Sequence, residues 1–313
     1  MKRFSIAAGL SCLMLAFASA AETKAPQQPK KLEAKALPNA IHLTEKVISG
    51  GQPAGEAGFA ELEKLGVKTV VSVDGAKPDV ATAKKHGLRY VHLPHGYDGV
   101  PNERLLDLAK AVRDLPGPVY IHCHHGKHRS PAAAAAACES LGLLTTDEAL
   151  AVLKLAGTNP GYRGLFRTIE EAKPQAAKTL DEWRSDFLET VDVPPMAEAM
   201  VGVEHTHDHL KQVAAAGWKA PPDHPDIDPP HEALLLMEHF TELLRTDKVN
   251  GQAKAFVEIM RRSEADAAAL EQALRNGDVA PKELTAIFDR ITADCAACHT
   301  TFRDVPIQEK GEK

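Results

Sequence analysis

Residues 122–130 read HCHHGKHRS, which sets one thiol among four imidazoles, a lysine and an arginine. Two chemistries compete for such a loop. Cys123, His124, His125 and His128 are a donor set for zinc or copper. The spacing of Cys123, Gly126, Arg129 and Ser130 points instead to an anion cradle. In that reading the backbone N–H groups of a tight loop converge on one point, and the helix that follows adds its positive end. Gly126 lets the chain turn where a side chain would obstruct, and Arg129 grips two phosphate oxygens with its planar fork. The same field favours the Cys123 thiolate, a nucleophile for phosphorus, and Ser130 can donate to the sulfur when it leaves. A metal on Cys123 would silence that nucleophile, and a loop curled around an anion turns most of its side chains outward. The expected phosphate-binding set is His124, His125, Gly126, Lys127, His128 and Arg129, with no metal needed at this site. The histidines and Lys127 are expected to make its mouth cationic.

A thiolate attacking phosphorus needs an acid for the departing oxygen. Asp98 in HGYDGVP (95–101), 25 residues before Cys123 on a glycine-flanked loop, is the first candidate. Asp74, which ends VVSVD, reads better as a strand-end hydrogen-bonding residue.

A second cluster lies at Cys295-Ala296-Ala297-Cys298-His299. CxxCH is the covalent attachment pattern of c-type haem: thiols three apart on a helix reach the two vinyl groups, and His299 is the proximal iron ligand. A zinc knuckle or a redox CxxC is the competing reading, and the adjoining histidine favours haem.

These residues need elements to hold them. KTVVSVD (68–74), LRYVHLP (88–94) and GPVYIHC (117–123) are strands by composition, alternating with helical stretches GEAGFAELEKLG, DVATAKKHG, NERLLDLAKAVRDL, SPAAAAAACESLG and TTDEALAVLKLAG. That order predicts an α/β domain over 41–175 with a mostly parallel sheet flanked by helices, and it puts HCHHGKHRS at the carboxyl end of a strand, where such sheets bind ligands. From Pro194 the strand signal stops. Met196, Met200, Val203, His207, Leu210 and Ala214 form one helical stripe, and three more amphipathic helices follow. With mainly short connections they predict an all-α antiparallel four-helix bundle over 194–304 and a tail over 305–313. Residues 176–193 read as a connecting helix or linker assigned to neither half.

The start MKRFSIAAGLSCLMLAFASA has a basic opening, an apolar run and an Ala18-Ser19-Ala20 end, the pattern of a signal peptide cleaved near Ala20. An exported, most simply periplasmic, protein with no transmembrane span is expected, because the run is shorter than the ~20 residues a span needs. Residues 21–40, lysine-rich and aromatic-free, are expected to be a tether with no core of their own. The chain is acidic, with a formal charge of −6 and no dense basic stripe, which argues against nucleic-acid binding. Its five cysteines are too few for a disulfide scaffold in 313 residues. Cys138 is too far along its helix from the loop to resolve an oxidised Cys123.

HCHHGKHRS, YDGVP and ISGGQPAGEAGFAELEKLGVKTVVSVD together resemble the cysteine-dependent dual-specificity and tyrosine phosphatases of bacterial type, over approximately 41–172. The resemblance implies Cys123 as nucleophile, Arg129 as phosphate clamp, Asp98 as general acid, Ser130 as an aid to hydrolysis and His122 as a residue that helps set the thiolate pKa. A lysine at the Lys127 position implies inositol phosphates or phosphoinositides as one substrate class. The C-terminal CAACHTTFRD resembles the cytochrome c-prime and c556 class over roughly 194–304, implying one covalent haem c, Phe302 beside it and Arg303 on a propionate or an inter-helix partner. The end of an antiparallel fourth helix lies beside the start of the first, so Met200 is the first candidate for the distal iron position, ahead of Met196 and then His207. His205 and His209 fall off the stripe and are expected to be solvated. The chain thus reads as an exported haem-containing phosphatase acting on a phosphorylated protein or small polyphosphorylated molecule, with a redox partner for the haem. The alternative is a c-type electron-transfer protein whose first half only binds anions or partners.

Overall fold

In the computed structural model, which describes residues 28–310, a six-stranded sheet organises the first half. Its strands are β1 (Lys30–Lys31), β2 (Ile41–Thr44), β3 (Val47–Gly50), β4 (Thr69–Ser72), β5 (Arg89–His92) and β6 (Val119–His122), in the order β1-β2-β3-β6-β4-β5. β3, β6, β4 and β5 pair in parallel, and β1 and β2 extend the edge antiparallel. The three strands predicted from composition are all present, each slightly shorter than expected.

Side-chain alternation divides the sheet between two cores. Ile48, Val70, Tyr90 and Tyr120 face Phe59 and Leu62 of α1 (Gly55–Lys64) and Ala83 of α2 (Val80–Lys85). Ile41, Val71, Val91 and Ile121 face α3 (Asn102–Asp114), α4 (Arg129–Ser140), α5 (Thr146–Ala156) and α6 (Arg163–Glu171). α4 is buried along its whole length, and its run Ala132–Ala137 lets the surrounding elements approach closely. α6 is an element that the sequence patterns above did not single out.

Two boundaries are corrected. The expected tether is structured from Lys30 onward, because β1 pairs with β2, Leu37 is 1% exposed, and the Asn39 side chain donates to the carbonyls of Gly126 and Ala156. The signal-peptide segment lies outside the described residues. The connecting segment belongs to the first half: α7 (Ala177–Glu182) stops well short of the helix expected there, Leu180 packs on Leu106 and Ala109, and the Trp183 indole donates to Asp107. The chain then runs extended, and the Leu188 carbonyl accepts from the His92 amide at the edge of β5.

The C-terminal region is helical: α8 (Pro195–Ala215), α9 (Pro229–Leu244), the single turn α10 (Asp247–Asn250), α11 (Lys254–Asn276) and α12 (Pro281–Cys298). Proline opens α8, α9 and α12, where its missing N–H is unneeded. Val203, Leu210, Leu236, Phe240, Met260, Leu270, Phe288 and Ile291 share one core, with Met196 and Met200 packed at its side. α8 and α12 run antiparallel, since His207 bonds Thr292 and Trp218 bonds Thr285, each at 3.0 Å. Among the described residues no helix is long and apolar enough to cross a membrane.

Candidate active site and the CAACH cluster

β6 ends at His122, and α4 begins at Arg129, so the loop between them is held at both ends by buried structure. Cys123 is 4% exposed, and its Sγ lies 3.3 Å from the Ser130 hydroxyl. Ser130 in turn donates to the Gly50 carbonyl. Gly126 has φ +70°, and a Cβ there would strike the Gly50–Gly51 backbone, so no other residue fits this turn. Thr158 fixes the loop from outside by donating to the Lys127 carbonyl, as Asn39 does at Gly126.

Arg129 is buried and donates to Asp74 at 2.8 Å, while its Nε has no partner among the described residues. The same Asp74 oxygen accepts from the His124 amide at 2.7 Å. Burial opposes ionisation of Asp74, but the Arg129 guanidinium and the Ala76 amide outweigh it and hold the carboxyl below its ordinary value. One carboxylate thus engages both the clamp and a cradle amide. This role at the floor of the loop agrees with the hydrogen-bonding part expected of Asp74.

His122 is also inside. Burial pushes it down to about 4, so it is neutral near pH 7. The Tyr90 hydroxyl donates to its Nε2, and its Nδ1 faces the Cys123 carbonyl at 3.3 Å. His122 therefore meets the loop at the Cys123 carbonyl as a neutral ring.

The expected cationic mouth is corrected by what faces it. His124 and His125 look onto Asp208 and Glu204 of α8, at 3.7–3.8 Å. His128 lies against Tyr162 and is held down to about 4, chiefly by burial and then by Lys127. Lys127 is exposed and Arg129 buried, while Asp208 and then Glu204 favour the protonated form of His124, so the cations of the rim face carboxylates of α8.

Asp98 follows β5 as expected, on a loop seated against α6: a Cβ on Gly164 would collide with the Asp98 carbonyl. Its carboxylate accepts from Lys310 at 2.6 Å, and its carbonyl accepts from the Ile307 amide. The tail is anchored further by Glu309 on Arg163 and Arg167. Tyr97, which the motif reading missed, has the Arg129 guanidinium 4.6 Å from its ring centre and Arg303 at 4.1 Å. No spacing rule marks such a residue; only its adjacency to Asp98 hints at it.

At the other cluster Cys295 and Cys298 are free thiols one turn apart on α12. Burial raises both, Cys295 to about 11, and lowers His299 to about 3, the neutral form that ligates iron. A π-helical turn, His299–Arg303, follows directly, a distortion common at functional sites. The two cross-helix bonds of α8 and α12 set their register and bring His299 level with the stretch around Met200 and Val203. His207 is instead level with Thr292. Phe302 packs edge-on against Phe256. Arg303 reaches out of the helical region to Tyr97 and to its neighbour Asp304 rather than to another of these helices. His209 is paired with Glu232, whereas His205 is exposed.

No protein-family model matches the chain. Over 114 residues it is 32% identical to the dual specificity protein phosphatase TpbA of Pseudomonas aeruginosa (strain UCBPP-PA14), covering 36% of this chain and 51% of that one. The chain thus spans about half the length of the curated relative it matches. Among solved structures, P. aeruginosa TpbA aligns with a TM-score of 0.41 and 22% identity, covering 50% of this chain and 95% of that one. The catalytic core of the PP-IP phosphatase Siw14 of S. cerevisiae, in complex with citrate, aligns with a TM-score of 0.41 and 16% identity, covering 47% and 94%. TpbA has also been solved in complex with pTyr. The N-terminal half is similar to cysteine-dependent phosphatases of the TpbA type.

Proposed function

We propose that this chain is an exported phosphatase that hydrolyses phosphate monoesters through a Cys123 phosphocysteine and carries one covalent haem c on Cys295, Cys298 and His299. One observation carries the enzymatic half: the Cys123 sulfur sits beside the Ser130 hydroxyl in a loop whose buried Arg129 keeps an unpartnered Nε. In this reading the thiolate attacks phosphorus, the P–O bond to the alcohol breaks, and Asp98 supplies the proton to the departing oxygen. Asp98, now a carboxylate, takes a proton from the water that attacks the phosphocysteine. The sulfur leaves as a thiolate, with the Ser130 hydroxyl turning its one proton from the Gly50 carbonyl to it, and inorganic phosphate is released. The similarity to a dual specificity protein phosphatase supports a phosphorylated protein as one substrate class. Lys127, exposed at the rim, suits a small polyphosphorylated molecule as the other.

The helical half is read as the four-helix bundle of a c-type cytochrome. Two unpaired thiols on one helix face and a neutral buried imidazole beside them fit the attachment and proximal positions. Met200, level with His299 and packed at the side of the core, is the distal candidate ahead of Met196. Bound there, haem supplies one-electron exchange with a redox partner or a site for a diatomic gas.

The test is one preparation matured in a host able to attach haem. Phosphate release from an aryl phosphate should be lost in Cys123→Ser, and the haemochrome spectrum should show a haem that acid–acetone does not extract. Release that persists in Cys123→Ser overturns the enzymatic half. Extractable or absent haem overturns the cytochrome half, leaving a phosphatase with a helical extension.

A further inference from the structure

The side chains of His124 and His125, at the rim of the loop, meet carboxylates from the other half. His124 and His125 are adjacent on the loop, with ring centres 4.3 Å apart. Glu204 and Asp208 are one turn apart on α8 and so share a helix face. One ligand atom from each of His124, His125 and Asp208 falls within 4.8 Å of the others. Nε2 of His124 and of His125 stands 3.8 and 3.7 Å from Oδ2 of Asp208, and Glu204 Oε1 stands 3.8 Å from His125 Nε2. These separations are too long for hydrogen bonds. They come close to the edges of a tetrahedron around zinc, which are roughly 3.4 Å when the bonds are about 2.0–2.1 Å. Asp208 is already oriented as a ligand would be, since Lys211 takes Oδ1 at 2.7 Å and leaves Oδ2 toward the imidazoles.

We propose that His124, His125 and Asp208 form a site for a divalent d-block cation, with zinc the best match to two imidazoles and a carboxylate, and with Glu204 beside His125 at its edge. The site spans the phosphate loop and α8, so the ion ties the loop's rim to the helical half. Cys123 is not a ligand, and the nucleophile stays free. This inference stands independently of whether haem is attached.

The test uses the full-length matured protein and zinc alone. Equilibrium dialysis should find one equivalent of zinc, and X-ray absorption should show a shell of nitrogen and oxygen near 2.0–2.1 Å, without the sulfur scattering near 2.3 Å that a thiolate site gives. Asp208→Asn and His125→Ala should each weaken binding by at least about tenfold, the cost that even outer-shell changes reach. Lys211→Ala, which removes the group that orients Asp208, should weaken binding less than either ligand variant does. Sulfur in the shell, or unchanged affinity in both ligand variants, would overturn the site.

Discussion

The guanidinium of Arg303 stands 4.1 Å from the centre of the Tyr97 ring, and the same ring lies 4.6 Å from the guanidinium of Arg129. Arg303 is four residues beyond His299, and Arg129 opens α4 at the end of the HCHHGKHRS loop. A single aromatic side chain therefore joins the turn after CAACH to the floor of the other site. The tail beyond Arg303 strengthens the link by holding Asp98 through Lys310.

Replacing Tyr97 should be felt at the phosphate. A cation–π contact is worth about 0.5–2 kcal/mol, more when desolvated. Tyr97→Leu should therefore lower kcat/KM for an aryl phosphate by about 2–30-fold, the range that this energy spans. Arg303→Ala, which leaves Arg129 in place, should cost less. Equal kcat/KM in wild type and Tyr97→Leu would show that the ring does not position the clamp.

If Asp98 protonates the departing oxygen, its loss should depend on the leaving group. Asp98→Asn should reduce turnover of alkyl phosphates by about 10²–10⁴-fold, the usual worth of a general acid, and of nitrophenyl phosphate far less. Steady-state rates across a leaving-group series check this, and a uniform loss would assign the acid elsewhere.

Gly164 offers a test of the loop rather than of the acid. A methyl group there meets the Asp98 carbonyl, so Gly164→Ala must push the acid loop off α6. A displacement of about 1 Å can cost ~10²-fold in rate. We expect a fall in kcat on alkyl phosphates of up to that size. Circular dichroism should show the fold retained, and unchanged kcat would mean the loop sits elsewhere during turnover.

Buried His122 sets a pH dependence of stability. Its folded pKa is lowered to about 4 by burial, whereas the unfolded residue titrates at its ordinary value of 6.5. Between those values the unfolded state binds the extra proton, so stability is greatest above pH 6.5 and falls as the pH drops toward 4. One such group contributes about 1.4 kcal/mol per pH unit across the window. Melting temperatures at about pH 7, 5.5 and 4.5 should decline in that order, and His122→Gln should flatten part of that slope. An identical slope in the variant would place the dependence on other groups.

Much of this architecture was written in local pattern. The alternation of β-rich runs with amphipathic stretches located β4, β5 and β6, because strand and helix periods are properties of neighbouring residues. Gly126 was legible for the same reason: the turn demands its φ of +70° whatever surrounds it. The stripe on α8 was legible too, since Met196, Met200, Val203, Leu210 and Ala214 pack on the helical core. Patterns failed where the decisive partner was distant. Residues 30–40 look like a tether by composition, yet a sheet edge and the loop carbonyls at Gly126 and Ala156 order them. α7 ends early because Leu180 and Trp183 are already committed to α3.

The sequence by itself therefore determined where the two candidate clusters lie, since a thiol, a glycine and an arginine at fixed spacing, or two thiols and a histidine, fall within one loop or one helical turn. Only the tertiary structure decided what surrounds them. It placed the Asp74 carboxylate on Arg129, turned the rim imidazoles toward Asp208 and Glu204, and set Tyr97 beside two guanidinium groups. Each of those pairings joins residues far apart in the chain, where charge and packing are settled by geometry that no local spacing encodes.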